Sequence, residues 1–128
     1  MSCTIQWHRD GAYKKFDGNV TMAELLRSLS QVQNHRDFDT FKFTITDFLD
    51  ASNIEFSESE MMLYGANVIG GGYNNKRLAV GIVVTDPEVI HLLKTRYQPL
   101  VNYSVGYFPT LKECESWILE TTGLSVQF

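Results

Sequence analysis

Along this chain the spacing of apolar residues switches repeatedly between every second position and every third or fourth, and the switches mark out its elements. Ile5–His8 and Ala12–Phe16 have strand spacing and are joined by Arg9-Asp10-Gly11, whose Asp-Gly step suits the positive φ of a tight hairpin turn. Asp17-Gly18-Asn19 is predicted to break the second strand. Thr21 and Glu24 then form a capping box, Val20 and Leu25 a hydrophobic staple, and Met22, Leu25, Leu26, Leu29 and Val32 share one helical face.

Phe41 to Asp50, FKFTITDFLD, alternates apolar residues with threonines and reads as a central strand, covered on both sides, that ends in an acidic loop. Ser57 and Glu60 repeat the capping box and Phe56 and Met61 the staple, opening a second helix with Met61, Tyr64, Gly65, Val68 and Ile69 inward and Gly70-Gly71-Gly72 at its end. Leu78–Val84 is apolar almost throughout, as a strand buried on both faces of a parallel sheet would be. Asp86-Pro87 starts a third helix carrying Val89, Ile90, Leu93 and Tyr97, and Gln98-Pro99 stops it. Tyr103–Phe108 is the last strand, and Thr110 with Glu113 caps a fourth helix containing Leu111, Cys114, Trp117 and Ile118, ended by Gly123.

After the hairpin, helices alternate with strands, which predicts an α/β domain spanning residues 1–128: a mainly parallel sheet of about five strands, right-handed crossovers and four helices. With 128 residues, 44% of them apolar, the chain can bury a core without staples. A net charge of −4 and scattered basic residues argue against nucleic acid as a partner. No signal segment or membrane-length apolar run is evident, so a cytoplasmic, non-integral protein is expected. Cys3 and Cys114 lack metal-ligand spacing, and neither a metal nor a cofactor is expected.

In an open parallel sheet, ligands gather beyond the carboxyl ends of the strands, here the edge with Asp47, Asp50, Ser52, Ser57, Thr85, Asp86 and Thr110. Asp47 and Asp50 could bind a divalent cation for phosphoryl transfer, but three of these residues are already N-caps, and capping is the better account. The acidic pair and lysine of a receiver domain are not in place. Gly70 to Arg77 is glycine-rich and basic, yet it runs from helix to strand, the wrong order for a phosphate loop, and reads as a flexible connector able to act as a lid. His8-Arg9-Asp10 and His35-Arg36-Asp37 lack the asparagine of a kinase catalytic loop.

Phe16-Asp17-Gly18-Asn19-Val20-Thr21, Thr46-Asp47, Arg77-Leu78-Ala79-Val80 and the run Phe108 to Trp117, in this order and spacing, resemble the SpoIIAA-like proteins, a branch of the STAS and anti-sigma-factor-antagonist fold. The resemblance covers roughly residues 16–119. It implies a right-handed β-α superhelix, a cytoplasmic bacterial protein without enzymatic activity, and regulation through protein partners. In the phospho-regulated antagonists the modified serine opens helix 2. The matching position is Ser57, which keeps the hydroxyl but not the surrounding motif and lies among Glu55, Glu58 and Glu60, against a phosphoswitch of that design.

The expected function is therefore a non-catalytic interaction module that binds a protein partner or itself, as a homodimer, through a face made by Asp47, Asp50, Ser52, Ser57, Met61, Met62 and Tyr64. The alternative is a carrier of a small apolar, lipid-like ligand held between helix 2 and the sheet, because the fold is also similar to that of lipid-transfer domains and methionines adapt to variable apolar surfaces. A metal-dependent enzyme using Asp47 and Asp50 ranks third.

Overall fold

The computed structural model describes residues 3–72 and 75–128. Five strands lie in the order of the chain: β1 (Cys3–His8), β2 (Gly11–Thr21), β3 (Phe43–Glu55), β4 (Ala79–Val83) and β5 (Ser104–Phe108). β1 pairs with β2 antiparallel, and every later pair is parallel. The crossover helices are α1 (Met22–Gln33), α2 (Glu58–Gly72) and α3 (Pro87–Leu92), and α4 (Leu111–Thr122) follows β5.

Sequential strand order with crossovers of one hand places α1, α2 and α3 on the same face of the sheet. Together with the turn that follows α3 they bury Met22, Leu25, Met61, Tyr64, Val68, Val89, Leu93 and Tyr97 against Phe16, Phe48, Val80 and Ile82. The other face is closed by α4 and the last residues of the chain, with Cys114, Ile118 and Val126 on Tyr13, Phe43, Ile45, Ala79 and Val83. The predicted double coverage of the central strand holds, for Thr44 and Thr46 are buried under the helices while Phe43 and Ile45 are buried under α4.

Three local expectations are corrected. β2 and β3 do not stop at Asp17 and Asp50 but run on together to Thr21 and Glu55, through two register shifts at which β3 carries an extra residue. Polar side chains hold this extension: Asn53 donates to Asn19 Oδ1 at 3.0 Å, and Asn19 donates to Glu55 Oε2 at 3.3 Å. Such cross-strand bonds replace the apolar contacts that strand periodicity registers. Gly11 is not at positive φ; a side chain there would collide with the carbonyl and ring of Phe43. Gly18 is the residue with φ of 67°, at the irregular part of β2.

The third helix changes form after Leu92, passing through a π-helical turn at Leu93–Tyr97 and a short 3-10 turn at Gln98–Leu100. Helix α2 ends at Gly72, with the triple glycine at its end as expected. The connector and lid expected at Gly70 to Arg77 include Tyr73 and Asn74, which lie outside the described residues.

Candidate functional site

The carboxyl edge of β3 and the start of α2 form the region that the sequence singles out, and the fold divides its residues among three environments. Asp47 is buried at 4% exposure, where its Oδ2 accepts the Tyr13 hydroxyl at 2.6 Å and its Oδ1 accepts the Leu49 backbone N–H at 2.9 Å. Burial and the Asp47 carboxylate together push the Tyr13 phenol far up, so it stays a donor. Asp50 is exposed and pairs with Lys15 Nζ at 2.9 Å. The two acids therefore do not converge, and among the described residues no group of three or more His, Cys, Asp or Glu is arranged to hold a metal ion.

Ser52 is exposed on a shallow groove of about 260 Å³ between the end of β3 and the Thr85-Asp86 turn, also lined by Leu49 and Ile54. It is the extra residue at the second register shift, between Ala51, opposite Gly18, and Asn53, opposite Asn19. Ser57 caps α2: Glu60 N–H donates to Ser57 Oγ at 3.2 Å, and Ser57 N–H donates to Glu60 Oε1 at 3.1 Å. Arg96, remote in sequence, reaches the same helix start and bonds Glu58 Oε1 at 3.2 Å. This brings a guanidinium to a helix start that the local sequence shows as purely acidic.

The α2 residues also divide. Met61 and Tyr64 are buried in the core, so they cannot belong to an exposed face, whereas Met62 is 57% exposed. Leu63, which the sequence reasoning missed, is 53% exposed beside it. The signal was available, since a helix with Met61, Tyr64, Gly65 and Val68 inward must turn positions 62 and 63 outward. Gly65 has a tertiary reason, because a Cβ there would meet Leu100 Cδ1 at 2.6 Å.

Beneath α2 lies a partly open cavity of about 30 Å³, lined by Tyr64 and Val68 together with Lys14, Gln33, Thr44, Thr46, Tyr97 and Tyr103. A space of this size takes about one water molecule, far less than a lipid. Lys14 is 4% exposed, and its Nζ donates to Ser28 Oγ at 3.3 Å. Burial pushes its ammonium down to about 8 from 10.5. At the opposite, amino edge of the strands lies an open depression of about 640 Å³ that gathers Lys42, Lys76 and Arg77, with Asp39 and the carboxyl end of α4 at Thr121 and Thr122.

A five-stranded sheet in chain order, one antiparallel hairpin, three helices on one face and the last on the other define the SpoIIAA-like fold of the STAS type. The anti-sigma factor antagonist SpoIIAA, in its unphosphorylated form, superposes with a TM-score of 0.62 over 95% of this chain and 99% of its own, at 10% identity. An uncharacterised protein of the DUF3478 family from Shewanella loihica, described as having a SpoIIAA-like fold, superposes with a TM-score of 0.56 over 91% of each chain, at 11% identity. No protein-family model matches the sequence, and no curated protein matches it. Among the described residues no helix is long and apolar enough to cross a membrane.

Proposed function

We propose that this chain is a non-enzymatic, cytoplasmic regulatory module that binds a protein through the exposed part of the β3–α2 region: Asp50, Ser52, Ser57, Met62 and Leu63. The observation that carries this is the exposure of Met62 and Leu63 side by side on the second turn of α2, next to the acidic groups of Glu58 and Glu60. Large apolar side chains surrounded by charge are the composition of a contact surface, with a partner offering apolar residues and basic ones around them. The SpoIIAA-like fold agrees with this reading, since one solved structure with it is an anti-sigma factor antagonist. The water-sized space under α2 favours an interaction module over a carrier of an apolar ligand.

The test uses the wild-type protein as bait beside Leu63→Glu and Asp50→Lys, in cross-linked cell extract read by mass spectrometry. A partner retained by the wild type and reduced at least roughly tenfold with either variant, as expected for a loss of about 1.4 kcal/mol or more, supports the face. A partner retained equally by all three places the interface elsewhere. Native mass spectrometry of the purified protein distinguishes a homodimer from a monomer and would expose any retained cargo.

A further inference from the structure

The small cavity under α2 gathers hydrogen-bonding groups that the interaction surface does not use. Lys14 lies on the helix-covered face of β2, opposite Thr46 in the β2–β3 register. No carboxylate pairs with it among the described residues, and its hydrogen bond there is the long one to Ser28. The Ser28 hydroxyl proton goes to Leu25 O at 2.8 Å, so Ser28 accepts from the lysine and at least one ammonium N–H is left over.

Thr44, Thr46 and Tyr64, each with a hydroxyl, line the same cavity. Tyr97 and Tyr103 share one hydrogen bond at 2.8 Å, which leaves one of their two protons unused. Among the side chains lining this space only Gln33 carries a carbonyl and none carries a carboxylate, so no negative charge faces the lysine. A buried cation without a counter-charge is costly, and an ion that accepts only would remove both deficits at once.

We propose that this cavity is a binding site for one small monovalent anion of halide size, held by the Lys14 ammonium and the hydroxyls of Thr44, Thr46 and Tyr64. A volume of about 30 Å³ suits a halide better than sulfate or a nucleotide. The site ties β2, β3 and α2 through one ion, so occupancy stabilises the seating of the helix that carries Met62 and Leu63.

Two measurements on the full chain test it. Crystals of the wild type soaked in sodium bromide should give an anomalous-scattering peak in the cavity beside Lys14 Nζ. Thermal unfolding at pH 7, with chloride exchanged for gluconate at constant ionic strength, should show the wild-type Tm rising by roughly 5 °C per tenfold chloride above the Kd. The rise should be absent in Lys14→Met, and Thr46→Val serves if that variant does not fold. The bromide map decides. A peak in the cavity upholds the site, and its absence at saturating bromide overturns it and leaves a cavity that holds water only.

Discussion

Replacing Lys14 by methionine should make this protein more stable at neutral pH and no more stable at alkaline pH. In the fold Lys14 lies among Cys3 on β1, Ser28 and Gln33 on α1, Thr44 and Thr46 on β3, Tyr64 on α2, and Tyr97 and Tyr103, and among the described residues no acid pairs with it. Its ammonium is pushed down from 10.5 to about 8, chiefly by burial. The folded state thus binds this proton less tightly than the unfolded chain. The penalty is complete below pH 8 and disappears as pH rises from 8 towards 10.5.

At about 1.4 kcal/mol per pH unit, the full penalty is about 3 kcal/mol. Methionine keeps the aliphatic volume and removes the charge, at the loss of one hydrogen bond to Ser28 worth about 1 kcal/mol. In chloride-free buffer Lys14→Met should therefore exceed the wild type by about 2 kcal/mol at pH 7, and the gap should close to near zero by about pH 9.5. Urea unfolding of both proteins at the two pH values measures this difference, and effects common to both, such as ionisation of the tyrosines, cancel. A gap that stays constant between pH 7 and 9.5 would refute the assignment of Lys14 as a buried, perturbed amine.

Ser57→Ala should cost about 1 kcal/mol in chemical denaturation through loss of the α2 cap, with Ser57→Asp close to wild type; equal stability of all three would remove the cap. Gly81→Ala should destabilise by about 1–3 kcal/mol, because the new methyl would collide with Cys114 Sγ against the Trp117 ring. In a Cys114→Ala background that cost should fall by more than half, and an additive double mutant would locate the clash elsewhere. Burial pushes the Cys114 thiol up to about 12, so at pH 8 a thiol reagent should label it only at the rate of unfolding. Peptide mapping that found Cys114 labelled within seconds in the native protein would contradict its burial.

What the sequence by itself determined were the features written in a few consecutive residues. Thr21, Ser57, Asp86 and Thr110 all start helices as expected, because a side-chain oxygen reaching an N–H two or three residues on needs no distant partner. The apolar faces of the helices and the two-sided burial of Thr44 to Ile45 followed in the same way from period, and with them the order of elements and the fold, although Ser28, which the spacing on α1 turned toward water, is buried.

Tertiary structure alone decided which polar residues are buried and which of them meet. In Tyr13-Lys14-Lys15-Phe16 the two lysines look alike, yet strand alternation and the packing of α1 and α2 bury Lys14 while Lys15 stays at the surface with Asp50. Asp47 meets Tyr13 across 34 positions and Arg96 meets Glu58 across 38, pairings created by strand register and helix packing. The extension of β3 to Glu55 belongs here too, since Asp50 to Glu55 has little strand character until β2 supplies hydrogen-bonding partners beside it. Local chemistry sets where a helix begins, whereas the environment of a charge depends on every element packed around it, and those elements come together only in the folded chain.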